Sequence, residues 1–211
     1  MYQFTTASKK RLGDLHTPVS LYLKLRDVYP QSALLESSDY HGNENSLSFI
    51  ALRPIARIGV NNGEAVMDFP DGRSSAKRLG GDYTTADALK EFLAGFRITG
   101  DGSEHCGLFG YTAFDAVRYF ENIPVKEYHH QDSDAPDICY ILYKYLLVFN
   151  HVKNELAIIE LCADGEQDHL REVETLIEDR NFASYNFRTT GERRSNLTDE
   201  AYKAMVREGV R

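Results

Sequence analysis

The chain has 211 residues, enough to bury one substantial hydrophobic core. Its 24 lysines and arginines against 32 aspartates and glutamates give a net charge of −8, and the sequence has no basic run typical of nucleic-acid binding. No apolar stretch reaches the roughly 18 residues of a membrane span, and residues 1–6 lack a signal-peptide pattern. We therefore expect no nucleic-acid partner and no membrane association.

The cysteines are Cys106, Cys139 and Cys162. An odd number at wide spacing predicts neither a disulfide framework nor a zinc knuckle. Unpaired thiols suit a reducing compartment, so we expect a cytoplasmic protein.

The first predicted element is a helix over residues 15–27. Thr17 is a suitable N-cap, and Pro18 follows at the first helical position, where its missing N–H costs nothing. Val19, Tyr22, Leu23 and Arg26 fall on one face of this helix, with Leu25 nearby.

Two strand regions follow. The apolar run at 32–37 ends in polar residues, and 46–60 predicts two strands separated by a kink at Pro54, because proline cannot donate to a sheet ladder. Residues 61–63 tolerate positive φ and predict a hairpin turn into a strand over 64–69.

A loop and a helix are predicted next. Residues 73–82 carry polar side chains and two adjacent glycines, which indicates a mobile loop. Thr84 and Asp87 are typical of a helix start, and the apolar spacing extends that helix to about residue 97.

A strand, a tight joint and a short helix are predicted over residues 106–121. Gly107 and Gly110 lack a Cβ, which indicates that another backbone or a ligand packs closely there. From Ala113 the apolar spacing becomes helical, and Asp115 and Arg118 are three residues apart and expected to pair.

Two groups of reactive side chains are candidates for a metal site or a catalytic site. His129 and His130 precede three aspartates in the charged segment 125–137, but adjacent residues point apart, so we expect a solvated loop and no metal. His105 and Cys106 have no assignable third group to orient them as a nucleophile pair. No catalytic residue is therefore assigned to this chain.

The strongest strand signal covers residues 138–149, and a turn leads into a second strand over 155–162. An amphipathic helix is predicted over 164–179, and Thr198 caps a final helix over 199–211. The predicted fold class is α+β, with largely antiparallel sheets of hairpins and three or four helices.

Two segments resemble the N-terminal domain of anthranilate synthase component I. Gly110–Glu121 is similar to that family's G-Y-x-x-Y-D-A-V-R-Y-F-E block, although Ala113 and Phe114 replace its usual Gly-Tyr. Leu34–Ser37 is similar to the family's L-L-E-S motif. The resemblance implies the same α+β fold for this chain.

The resemblance implies that residues 1–188 form the N-terminal regulatory domain. Residues 189–211 would then be a linker and the first helix of a truncated chorismate-binding domain. The complete enzyme converts chorismate and ammonia to anthranilate and pyruvate with Mg²⁺, and a glutamine amidotransferase subunit, component II, supplies the ammonia. The Mg²⁺ ligands and catalytic groups belong to the rest of the chorismate-binding domain, so we expect this chain alone to hold no cofactor and to be inactive.

The resemblance also implies a feedback site for L-tryptophan at Leu35, Glu36, Ser37 and Ser48. A bound amino acid needs hydrogen-bond donors, acceptors and an apolar slot. Ser37 can supply polar contacts and Leu35 an apolar wall, while Glu36 either meets the ammonium group or orients the strand. Ser48 is placed near the pocket by the resemblance alone.

Other functions stay open. The chain is alternatively the N-terminal domain of a paralogous aminodeoxychorismate or isochorismate synthase, although Leu34–Ser37 and Asp115–Arg118 favour anthranilate synthase. A stand-alone small-molecule or protein-binding module is a different class. An independent hydrolase using Cys106 would be sensitive to thiol reagents, which we do not expect.

Overall fold

The computed structural model describes residues 1–37, 46–121, 135–180, 186–192 and 194–210. The chain divides into two compact units, Met1–Arg180 and Asn181–Arg211. Among the helices of these described ranges, none is long and apolar enough to cross a membrane.

The described part of the first unit contains nine strands and three α-helices. The strands are β1 (Tyr2–Leu12), β2 (Ala33–Leu35), β3 (Leu47–Asn61), β4 (Glu64–Asp68), β5 (Ser74–Arg78), β6 (Phe96–Thr99), β7 (Leu108–Thr112), β8 (Ile138–Asn150) and β9 (Glu155–Ala163). The α-helices are α1 (Pro18–Leu25), α2 (Thr85–Ala94) and α3 (Leu170–Glu178), and two 3₁₀ helices cover Ser103–His105 and Phe114–Tyr119.

These strands form one sheet in the order β5-β4-β3-β8-β9-β1-β6, with β2 paired to β3 and β7 paired to β8. Strands β1 and β6 are parallel, whereas the other pairs are antiparallel. The predicted α+β class with a largely antiparallel sheet is confirmed.

Strands β8 and β9 are paired over only part of their lengths, so the sheet splits where they separate. Strands β8 and β9 pair from Asn150↔Glu155 to Tyr145↔Glu160; beyond this point β8 pairs with β7 and β9 continues along β1. A core cluster gathers side chains from both halves and from α2, including Ile58, Met67, Phe92, Leu142 and Leu161. The opening is therefore filled by apolar packing.

Where β8 and β9 are paired, the sheet has two apolar faces. One face packs with α1 and α3 through Leu21, Leu25, Leu147, Val173 and Ile177. The other face carries Phe109, Tyr143, Leu146, Val148 and Ile159. Alternate residues of β8 thus supply both cores, as expected for a strand buried on two sides.

Helix α1 has the predicted start and a different inward face. Thr17 Oγ1 accepts the Ser20 N–H at 3.1 Å, and Ser20 Oγ accepts the Thr17 N–H at 3.0 Å, so a capping box is present. The predicted face was wrong for Val19 and Leu23, which are 43% and 40% exposed, whereas Tyr22 packs against the core. The buried residues are Pro18, Leu21 and Leu25. The helix is apolar on several sides, so its spacing does not distinguish these two faces.

Two strands occupy segments predicted otherwise. Residues 74–78, expected in a mobile loop, form β5 and pair with β4 from Asp68↔Ser74 to Glu64↔Arg78. Its charged, exposed residues are typical of a sheet edge, which hides the strand from sequence patterns. Helix α2 ends at Ala94, and Phe96–Thr99 form β6 beside the unpredicted β1.

The predicted kink in the strand region 46–60 is a local irregularity of one strand. Strand β3 is continuous, and its register with β8 shifts between Pro54 and Ala56. The hairpin turn is confirmed, with Asn62 and Gly63 at φ of 49° and 71°.

The central strand, joint and helix are present as β7 followed by a 3₁₀ helix. The predicted Asp115–Arg118 pair was wrong: Arg118 Nη2 donates to Asp137 Oδ2 at 2.7 Å. The Tyr119 hydroxyl donates to the same oxygen at 2.6 Å. Asp137 lies within reach of Arg118 and Tyr119 because its backbone carbonyl accepts the Ala113 N–H where β7 meets β8.

The second unit contains helix α4 (Asp199–Gly209). Thr198 caps it as predicted, with its Oγ1 accepting the Ala201 N–H at 3.2 Å. The helix predicted over 164–179 begins later, at Leu170. The domain boundary between residues 188 and 189 stays a prediction.

Candidate functional site

The four predicted site residues lie close together where β2 meets β3. Leu35 pairs with Phe49 in the ladder, and Glu36 and Ser37 follow directly after the strand. The Ser37 N–H donates to Ser48 Oγ at 3.1 Å. Backbone pairing of a short strand therefore brings Ser37 and Ser48 into direct contact.

Ser48 belongs to a hydrogen-bonded group of polar side chains. It is fully buried, and its Oγ lies 2.7 Å from His151 Nε2. Ser46 Oγ donates to Ser37 Oγ at 3.4 Å. Buried hydroxyls require hydrogen-bond partners, and these polar groups provide them for one another.

Two cavities flank this strand end. Glu36 lines one of about 320 Å³, and Leu35 lines the other, of about 530 Å³. The first is also lined by Gly13, Asp14, His16, Thr17, Pro18, Phe149, Asn150, His151, Asn154 and Glu155. The second is also lined by Gln31, Ser32, Ala33, Leu34, Arg57, Phe109, Gly110, Tyr111, Pro136, Cys139, Ile141 and Tyr143.

The cavities differ in charge. The cavity beside Glu36 also contains Asp14 and Glu155, and burial, then Arg11 and Lys24, lower the pKa of its His16. His16 is therefore neutral at pH 7, and the cavity favours a cationic group such as an ammonium.

The cavity beside Leu35 is more apolar. Burial raises the pKa of its Tyr143 to about 12, so that phenol stays neutral. Arg57 supplies a guanidinium group, whose Nε donates to Cys139 Sγ at 3.4 Å. Aromatic and aliphatic walls beside one guanidinium suit a planar apolar group or a carboxylate.

The thiol of Cys106 is not activated. Burial, and then Glu104, raise its pKa to about 11, so the thiol is protonated at neutral pH. Its Sγ donates to the Gly102 carbonyl at 3.8 Å. The rejection of a cysteine nucleophile agrees with this geometry, because only a thiolate attacks efficiently.

A cluster of metal-ligand types lies where β8 and β9 separate. Oxygens of Glu160 and Glu166 and a ring nitrogen of His169 lie within 4.8 Å of one another. The Lys144 ammonium donates to Glu166 and lies 3.5 Å from Glu160 Oε1. This buried cation neutralises the carboxylates and would repel a metal, so the cluster is an internal ion-pair network.

The predicted solvated loop falls mostly outside the described residues. His129 and His130 are among residues 122–134, which the structure does not describe. That interpretation stays a prediction.

Sequence reasoning missed His151, Asp14 and Arg57. Asp14 and His151 reach the first cavity through the β1–α1 loop and the end of β8, while Arg57 reaches the second from β3. Their proximity to Leu34–Ser37 depends on long-range strand register, for which the local sequence holds no signal.

Comparisons with known proteins identify relatives over most of the chain. A sequence profile of chorismate binding enzymes matches residues 31–211. Anthranilate synthase component 1 of Thermus thermophilus is 31% identical over 169 residues, covering 77% of this chain and 33% of that protein. The same-named protein of Acinetobacter calcoaceticus is 26% identical over 174 residues, covering 75% and 32%. The chain thus spans about a third of the length of these relatives.

A solved structure shares the fold. The crystal structure of anthranilate synthase component I from Streptococcus pneumoniae superposes with a TM-score of 0.52 at 18% identity. The match covers 95% of this chain and 44% of that chain. The resemblance found in the sequence motifs is therefore confirmed.

Proposed function

Because the chain belongs to the chorismate-binding enzyme family, we propose that it is the N-terminal regulatory part of an anthranilate synthase component I. The observation that carries the regulatory role is the Ser37–Ser48 contact between two cavities of opposite character. The bound effector would be L-tryptophan.

The rest of the enzyme's chemistry lies outside this chain in the proposal. A complete component I would make anthranilate from chorismate in the cytoplasm, with ammonia from component II. Mg²⁺ prefers six oxygen ligands, which the lysine-containing cluster of Glu160, Glu166 and His169 does not offer. In this proposal the Mg²⁺ ligands belong to the chorismate-binding domain, as the resemblance implies, and this chain is inactive alone.

The proposed inhibitor pose follows from the charges around the strand end. Glu36, which lines the first cavity, faces the ammonium group, and Leu35, which lines the second, contacts the indole. Ser37, two residues after the end of β2, donates or accepts at the polar end. Ser48 holds the Ser37 backbone in place. This arrangement uses both faces of a strand end, since successive residues of an extended chain point to opposite sides.

Regulation requires a difference between two states. Tryptophan would bind at the strand end of this chain, against the chorismate-binding domain, and favour the less active arrangement. Such coupling needs a higher affinity for one arrangement than for the other, and not proximity alone.

Calorimetric titration of L-tryptophan into the protein tests this proposal, with L-phenylalanine as the ligand control. Selective binding is expected, and Ser37→Ala should weaken it about tenfold by removing a hydrogen-bonding group. Ser74→Ala, on the exposed edge strand β5, is the matched control and should leave the affinity unchanged.

Two results would contradict the proposal. One is equal binding of phenylalanine and tryptophan, and the other is an equal loss in both serine variants. The same preparation should form no anthranilate from chorismate, ammonium and Mg²⁺, which a fluorescence assay for anthranilate checks.

A further inference from the structure

We propose that His151 is a positioning residue of the tryptophan site, which orients Ser48 and, through it, the Ser37 backbone. The inference rests on the proposed function, and extends it to a residue outside the Leu34–Ser37 motif. His151 lies just beyond the end of β8, far from that motif in sequence.

Strand register places the imidazole. Ser48 pairs with Phe149, and His151 follows two residues later, so both project toward the face on which Ser48 lies. The His151 backbone N–H donates to the Ser46 carbonyl at 3.1 Å, which fixes the chain beyond the strand. This backbone hydrogen bond therefore fixes the position from which the imidazole extends.

Hydrogen-bond accounting gives the imidazole its role. Ser48 Oγ has one proton and two lone pairs, and one lone pair accepts the Ser37 N–H. His151 Nε2 lies 2.7 Å from the same Oγ, and the tautomer of the ring decides which of the two atoms is the donor. Because Ser48 is fully buried, water cannot replace this hydrogen-bond partner.

The same ring borders the polar cavity. His151 and Glu36 both line it, and Phe149 stacks against the imidazole with ring centroids 6.5 Å apart and an angle of 15°. One side chain thus contacts the Ser48 hydroxyl and contributes to the cavity wall beside the proposed ammonium site.

A purely structural role makes a different prediction. If His151 only satisfies a buried serine, its loss lowers the stability and leaves the tryptophan affinity of the folded protein unchanged. If it positions Ser37, its loss weakens tryptophan binding even where the protein remains folded.

The test compares His151→Ala and His151→Gln by tryptophan calorimetry below their melting temperatures. The expected result is about a tenfold higher Kd in His151→Ala and a substantial recovery in His151→Gln, whose amide can hydrogen bond to Ser48. His169→Ala, which removes a histidine at the N-cap of α3 and outside both cavities, is the matched control and should leave the Kd unchanged. An unchanged Kd in folded His151→Ala would overturn the inference.

A second readout separates this inference from the proposed function. Hydrogen exchange of the Ser37 amide should accelerate at least severalfold in His151→Ala, while the Ile50 amide in β3 reports any general loosening. If the unmodified protein binds no tryptophan, the proposed function fails, and unaltered Ser37 exchange shows independently that His151 does not position this backbone.

Discussion

At the scale of single residues, the close approach of the β8 backbone explains why residue 110 in β7 is a glycine. A Cβ built at Gly110 would lie 1.9 Å from the Cys139 carbonyl oxygen, which is backbone and cannot rotate away. The sequence predicts a close approach at both Gly107 and Gly110. The prediction was wrong at Gly107, where a Cβ would meet no atom of the described residues within 4 Å. At Gly110 the identity of the neighbour depends on the β7–β8 register.

Gly110→Ala should therefore destabilise the protein by about 3 kcal/mol, as overpacking forces the two strands apart. The measurement is the free energy of unfolding in urea. Gly107→Ala is the matched control, since a Cβ there meets no atom within 4 Å. Equal unfolding midpoints for the two variants would show that the strands separate without cost.

At the scale of elements, carboxylates link α3 to the point where β8 and β9 separate. Glu166 Oε2 accepts the Ala163 N–H at 3.0 Å at the end of β9, and Glu160 Oε2 accepts the His169 N–H at 2.6 Å at the start of α3. The hydrogen bond from Lys144, and then the Ala163 N–H, lower the pKa of Glu166 below its ordinary 4.5.

The lowered pKa of Glu166 predicts a loss of stability in acid. Above an ordinary pKa of 4.5 Glu166 is ionised in both states, and the stabilisation is fully present. As the pH falls below 4.5, the unfolded chain binds a proton first, so stability decreases until Glu166 is protonated in the folded protein too.

Thermal unfolding followed from pH 6 to pH 3 measures this effect. Glu166→Gln should flatten the decrease below pH 4.5, whereas Glu192→Gln in the second unit, which removes the same charge, should not. An acid profile that is identical in Glu166→Gln and the unmodified protein would contradict the assignment.

The elements that sequence predicted best are those formed by local contacts. Strands β8 and β9 are joined by a short turn, and α1, α2 and α4 start at threonines that cap them locally. Strands β1 and β6 were missed, because their pairing joins residues about ninety positions apart. Strand β6 is at the sheet edge and β1 is only partly buried, so neither shows a continuous apolar pattern.

At the scale of the whole molecule, some features of the candidate site could be predicted from the sequence and others could not. Leu35, Glu36 and Ser37 belong to a local motif, and the Ser37 N–H donates to Ser48 Oγ. The division of Leu35 and Glu36 between two cavities, and the presence of His151, follow from β2–β3 and β3–β8 register. Register is a property of the folded sheet, so residue patterns alone did not contain it.

The most direct test of the central claim is amide chemical-shift mapping with L-tryptophan. The protein contains no tryptophan, so ligand and protein indole signals do not overlap. The account predicts saturable shifts that are largest at Glu36, Ser37 and Ser48, with little change along β5. Saturable shifts centred elsewhere, or no shifts at a saturating concentration of ligand, would contradict the claim that this strand end binds tryptophan.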